Sequence, residues 1–191
     1  TAASGTSDAV SIIGAGGVYS IYNCNILATG SNCIDFDGAG SCFMTECRVI
    51  GATSSTQCIL VQSGVQVVIR DCTITQPVGN TTSVINCNGN LILRNCEIQN
   101  LNVASTVLQA LIQFGNSTNG LLEISNCNLT YANILTDTGV NKCCLQITNS
   151  VGTIFTARIT NSVLLCEGAI TGVGGQIQCI QKTGAGAVTL S

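Results

Sequence analysis

Apolar and polar positions along this chain fall into one short phrase that keeps returning, and its clearest copy is Val67-Val68-Ile69-Arg70-Asp71-Cys72-Thr73-Ile74. Counted from Cys72, apolar residues stand five and three positions before it, an acid or amide just before it, and another apolar residue two after it. Four more copies keep the cysteine, at Cys24, Cys47, Cys96 and Cys127, and a sixth carries Ser162 in its place. A truncated seventh copy shows only Val188 and Leu190. The anchors are separated by 23, 25, 24, 31 and 35 residues. Periods of this length mark solenoids, in which each repeat packs only on its neighbours.

Alternation places positions −5 and −3 on one face of a strand, and positions 0 and +2 on one face of another. The parity breaks between them, so the chain turns a corner at −2 and −1. The residue at −1 is Asn23, Glu46, Asp71, Asn95, Asn126 and Asn161 in turn. Asn and Asp tolerate the left-handed backbone that a sharp bend needs, and their short side chains bond locally. A further strand is predicted between anchors, at Ile34 and Phe36, Ile59 and Val61, Ile85 and Cys87, Ile112 and Phe114, Leu145 and Ile147, and Ile177 and Cys179, with Val10 and Ile12 as the first copy. Each coil therefore has three short strands, stacked in parallel on those of the next.

Written as Ile69-Arg70-Asp71-Cys72-Thr73-Ile74 and Leu93-Arg94-Asn95-Cys96-Glu97-Ile98, the phrase resembles the repeat of right-handed parallel β-helix proteins. These are the pectin-lyase-like superfamily and the tailspike-like or surface-fibre-like proteins. The resemblance covers about residues 9 to 190 and implies an all-β, right-handed, single-stranded parallel β-helix of about six coils. Residues 1–8, small and polar, read as an entry linker, and residues 9–191 as the β-helix domain. Six copies in register specify architecture, while a fold of this kind hosts many functions.

Composition narrows the function classes. Hydrophobic residues make up 46% of the chain and charged residues only 8%, so the outer faces must be built from Ser, Thr, Asn and Gln. Six Lys and Arg in total, with a net charge of −3, argue against a nucleic-acid partner. The apolar runs fall well short of the roughly 20 residues that cross a bilayer. The chain opens without a leader and stops within a strand, which favours a segment of a longer chain or a homo-oligomer whose open edge is covered.

Thirteen cysteines cannot all pair. Cys24, Cys47, Cys72, Cys96 and Cys127 recur at one inward position and read as an interior stack of reduced thiols packed as small hydrophobes. Bridges at Cys33 and Cys58, or at Cys143 and Cys144, are the other reading, since equivalent positions in adjacent coils lie about 4.8 Å apart. No Cys-x-x-Cys pair and no histidine occurs, so no metal site or cofactor is expected. Reduced cysteines suit synthesis in a reducing cytosol.

The outward side of the inter-anchor strand carries Asp35, Leu60, Asn86, Gln113, Gln146 and Gln178. Stacked amides there stiffen a rod, or else line a glycan groove. For catalysis the best pair is Asp35 and Asp37, two apart on one strand and so roughly 7 Å apart, within the range of glycosidase carboxylates. Arg48 is expected on a different side. Arg70 and Arg94 stack as a like-charged pair that Asp71 can offset. Long turns are predicted at Gln99–Leu111, with a short helix through Leu101, Ala104, Leu108 and Leu111, and at Thr130–Cys143 and Leu165–Gln176. Glycosylation acceptor patterns occur at Asn80, Asn116 and Asn128. The expectation is a structural or attachment module of an extracellular or virion-surface assembly, with other protein subunits as partners and no membrane insertion. The alternatives are a polysaccharide lyase or glycoside hydrolase acting through Asp35 and Asp37, and a non-catalytic glycan-binding adhesin.

Overall fold

Period-2 alternation with few helix formers leaves the chain one regular option, the strand. The computed structural model describes residues 2–3, 8–14, 16–28, 32–38, 40–51, 57–76, 83–100, 110–115, 119–136, 142–150, 152–170 and 176–191, and contains strands and no helix among them. Strand β1 (Ala2–Ala3) precedes six complete coils of three strands. The first coil holds β2 (Val10–Ile13), β3 (Gly17–Tyr22) and β4 (Asn25–Ala28), and the second β5 (Ile34–Asp37), β6 (Gly40–Thr45) and β7 (Arg48–Ile50). The third holds β8 (Ile59–Val61), β9 (Val65–Arg70) and β10 (Thr73–Gln76), and the fourth β11 (Ile85–Cys87), β12 (Asn90–Arg94) and β13 (Glu97–Asn100). The fifth holds β14 (Ala110–Phe114), β15 (Gly120–Ser125) and β16 (Asn128–Thr136), and the sixth β17 (Lys142–Asn149), β18 (Ile154–Thr160) and β19 (Val163–Ile170). Strands β20 (Ile177–Gly184) and β21 (Ala187–Leu190) begin a further turn.

Every third strand pairs, so the strands form three seven-stranded sheets: A (β1-β4-β7-β10-β13-β16-β19), B (β2-β5-β8-β11-β14-β17-β20) and C (β3-β6-β9-β12-β15-β18-β21). All recorded pairings are parallel, and equivalent positions align: Val67 faces Leu91, Leu91 faces Leu122, and Ile74 lies between Val49 and Ile98. The chain is a parallel β-helix solenoid. Its interior is a stack of apolar layers, in which Ile34, Ile59, Ile69, Ile74, Ile85 and Leu91 have no exposed surface. In the upper coils the aromatic rings of Phe114 and Phe155 meet at 5.1 Å between centroids in a tilted pair.

The corner between sheets C and A explains the repeated phrase. Asn23, Glu46, Asp71, Asn95, Asn126 and Asn161 all have positive φ, between 48° and 55°, and no other non-glycine residue among those described does. Two backbone ladders cross each corner. The N–H at −1 donates to the −2 carbonyl of the next coil (Asp71 to Arg94, 3.0 Å), and the N–H at +1 donates to the anchor carbonyl of the preceding coil (Thr73 to Cys47, 3.0 Å).

The anchor N–H is left over, and the next anchor's side chain receives it. Cys47 N–H donates to Cys72 Sγ at 3.3 Å, Cys96 N–H to Cys127 Sγ at 3.4 Å, and Cys127 N–H to Ser162 Oγ at 3.0 Å. Each anchor hydrogen in turn goes to the −2 carbonyl of its own coil, from Cys72 to Arg70, Cys96 to Arg94, Cys127 to Ser125 and Ser162 to Thr160. The anchor must therefore be small and able both to donate and to accept, which is why serine replaces cysteine and alanine or valine does not.

Three expectations need correction here. Cys24 is exposed, unlike the buried Cys47, Cys72, Cys96 and Cys127, because it lies in the first complete coil, where no earlier corner among the described residues covers it. The turns expected at Thr130–Cys143 and Leu165–Gln176 are partly strand. Both coils lengthen by a similar amount, so the added residues of β16 pair with those of β19, from Ile134 opposite Gly168 to Thr136 opposite Ile170, beyond a bulge after Tyr131. The pair Ile177 and Cys179 is displaced, since Ile180 and Lys182 are the residues that align with Leu145 and Ile147. The helix expected through Leu101, Ala104 and Leu108 lies outside the described residues, and Leu111 is in β14.

Candidate functional site

Strand alternation carries the polar positions of sheet B to the outer face. There Asp35 stacks on Leu60, Leu60 on Asn86, Asn86 on Gln113 and Gln113 on Gln146. Gln146 Nε2 then donates to Gln181 Oε1 at 3.2 Å. Gln181 is thus the next rung, and Gln178 is not: it stands opposite Cys143. The register follows the inward Leu145–Ile180 pair, and Cys179, read from sequence as an inward residue, is exposed.

Asp35 and Asp37 share the outer face of β5 at the start of this ladder, Asp35 partly buried and Asp37 exposed. Burial pushes the Asp35 carboxyl above its usual range. The charges of Asp8 and Asp37 push the same way, and a hydrogen bond with Gln62 opposes them. Asp35 Oδ1 is buried with no hydrogen-bond partner among the described residues. A carboxyl raised above its usual range beside one facing water is an arrangement suited to proton donation. Arg48 opens β7 in sheet A, on a different face of the rod.

The second polar assembly is the corner itself. Asn95 Nδ2 donates to Asp71 Oδ1 at 2.9 Å, and Asn126 Nδ2 donates to Asn95 Oδ1 at 3.2 Å, so three successive corners are joined along the axis. Beside this column lies an open concavity of about 570 Å³, lined by Asn95, Glu97, Asn126, Asn128 and Asn161 together with Cys96 and Cys127. Glu97 and Asn128 are directly paired on adjacent strands. The sequence assigns the corner asparagines a structural role and leaves out Glu97 and Asn128. Their +1 position, next to a bend that turns both side chains outward, is the signal that points to them. Thr130 Oγ1 donates to Asn128 Oδ1 at 3.4 Å. The acceptor patterns at Asn80 and Asn116 lie outside the described residues.

Arg70 and Arg94 stack in register, but Asp71 is not the group that offsets them. Its carboxylate is taken by the Asn95 amide, and Arg94 instead lies 4.0 Å from Glu123, which pairs with Arg158 at 3.0 Å. The reason is directional, because the corner turns Asp71 away from the face of sheet C.

All thirteen cysteines are free thiols, Cys33, Cys58, Cys143 and Cys144 included. Inside the corner between sheets A and B, Cys33 donates to the Ile50 carbonyl at 3.0 Å and Cys58 to Gln76 Oε1 at 2.5 Å, which gives the fully buried Gln76 a partner. Gly51 leaves room for this contact, since a Cβ there would press on both Cys58 and Gln76. Farther along, Cys144 Sγ lies 3.3 Å from Cys166 Sγ. Among the described residues no group of three or more His, Cys, Asp or Glu is placed to hold a metal ion, and no helix is long and apolar enough to cross a membrane. Comparison with protein-family models, with curated proteins and with solved structures finds no match to this chain, so its functional reading rests on its own residues.

Proposed function

We propose that the chain is a rigid structural or attachment module of an extracellular or virion-surface assembly, comparable to the β-helices of tailspike-like proteins in the pectin-lyase-like superfamily. The observation that carries this reading is the registration of every layer along one axis. Interior aliphatics, corner residues and anchor thiols each form a column through successive coils, so backbone bonding continues along the rod. Such a column resists local opening and proteolysis, because freeing one coil exposes the bonds of two others. Its partners are other protein subunits, with further copies of this chain first among them. Light scattering coupled to size exclusion, with limited thermolysin digestion of the same sample, tests the proposal. A multimer whose coils survive digestion is expected; a monomer cut rapidly between coils would overturn it.

A second reading, glycan attachment without cleavage, is favoured by the corner concavity, whose amides and single carboxylate suit sugar hydroxyls. A glycan array with the wild-type chain and the Glu97→Ala and Asn128→Ala variants tests it. Binding that either variant weakens at least tenfold supports the reading, and an array without signal removes it.

A further inference from the structure

We infer that Cys144 and Cys166 form a redox-active dithiol that closes to a disulfide across the sixth coil when it meets a small-molecule disulfide. Cys144 belongs to β17 in sheet B and Cys166 to β19 in sheet A, so the pair spans the interior between two sheets of one coil. Their sulfurs, 3.3 Å apart, are in direct contact, and closure to the S–S distance of about 2.05 Å needs a shift of little more than an ångström.

Several other thiols stack in neighbouring coils and, like Cys144, which donates to the Leu165 carbonyl at 3.2 Å, they bond to carbonyl oxygens, but burial closes them to a reagent. Cys47, Cys72, Cys96 and Cys127 are buried, and each donates across its own corner, to the carbonyls of Thr45, Arg70, Arg94 and Ser125. Cys33 and Cys58 are fully buried, bonded to the Ile50 carbonyl and Gln76. Cys166 combines contact with a second thiol and partial exposure, which gives a reagent from solvent a way in. Hydrogen bonding with Cys144 also lowers the Cys166 thiol below its ordinary range, favouring the thiolate that exchange requires.

The exchange proceeds in two displacements. The Cys166 thiolate attacks one sulfur of the reagent R–S–S–R, forming Cys166–S–S–R and releasing R–S⁻. Cys144 then gives up its proton to the released thiolate, attacks the Cys166 sulfur and expels the second R–S⁻. The protein dithiol loses two electrons and the reagent gains them, yielding two molecules of R–SH once the remaining thiolate takes a proton from water. Cys179, whose exposed thiol donates to the Leu164 carbonyl at 3.2 Å on the following coil, is the nearest competitor.

The test is oxidation of the native chain with oxidised glutathione, followed by alkylation, intact mass and peptide mapping. Two fewer alkylated thiols, a single cross-link joining Cys144 to Cys166, and reversal by dithiothreitol are expected. The Cys166→Ser variant should then retain every remaining thiol under the same treatment. A cross-link mapped to any other pair, full alkylation after oxidation of the wild type, or loss of two thiols in Cys166→Ser would each overturn the inference.

Discussion

A left-handed backbone at a residue with a Cβ is the most demanding local requirement in this molecule, and the chain meets it six times with Asn, Asp or Glu. At Asn95 the demand is joined by two ladder bonds, to Asp71 and from Asn126. Asn95→Ala should therefore lower stability by about 1–2 kcal/mol for the backbone alone, whereas Asn95→Gly, free of that penalty, should cost less although it loses the same bonds. Urea unfolding of the two variants side by side gives the comparison, and equal losses would place the cost in the ladder bonds. The anchor makes a different demand. In Cys72→Ser the hydroxyl can still accept from Cys47 N–H and donate to Arg70, as Ser162 does for Cys127 and Thr160. In Cys72→Val the buried Cys47 N–H loses its acceptor, and a loss of about 1–3 kcal/mol is expected, larger than that of the serine variant in the same urea series.

At the scale of strands and turns, legibility followed the strength of the repeat. Where two apolar residues flank a corner amide, as at Val67, Ile69 and Ile74, parity alone locates the strands and the bend between them. Glu46 was legible by position and not by type, since a glutamate has no special liking for positive φ. The pattern failed where a residue's neighbours across coils, and not along the chain, decide its place. Gln178 and Cys179 alternate correctly by themselves, yet the eight residues of β20 settle against β17 with Ile180 inward, a choice made by the partner strand. The same cause turned parts of two expected turns into strand, since β16 and β19 lengthen together and each supplies the other's hydrogen bonds. The second role of the anchor thiols, as acceptors of the leftover N–H, was invisible for a related reason. It is a bond between coils, and sequence spacing reports only that a small residue recurs. Glu97 and Asn128, which line the corner concavity, went unnoticed because a bend, and not a motif, brings them to one wall.

For the molecule as a whole, the interior thiols tie stability to pH. Burial pushes Cys72 up to about 11 and Cys87 up to about 12, from an ordinary value of 9.0. The folded state thus keeps protons that the unfolded chain has already released. The contribution is fully present below about pH 9 and is lost as pH rises toward 11 and 12. Urea midpoints at pH 7, 9 and 11 should be similar for the first two and clearly lower at the third, and a flat profile would mean these thiols ionise without cost to the fold. The three sheets also set a mechanical direction. Their interstrand hydrogen bonds lie along the rod, so a tether pulling on its two ends loads them in tension, and one coil can peel away before the next is strained. Rupture would then be a series of small steps at modest force, with contour lengths that follow the spacing of the anchors, 23 to 25 residues for early coils and 31 to 35 for later ones. A sideways pull along the strands would instead shear many bonds at once, so the same rod is compliant when stretched from its tips and stiff when dragged across its flank.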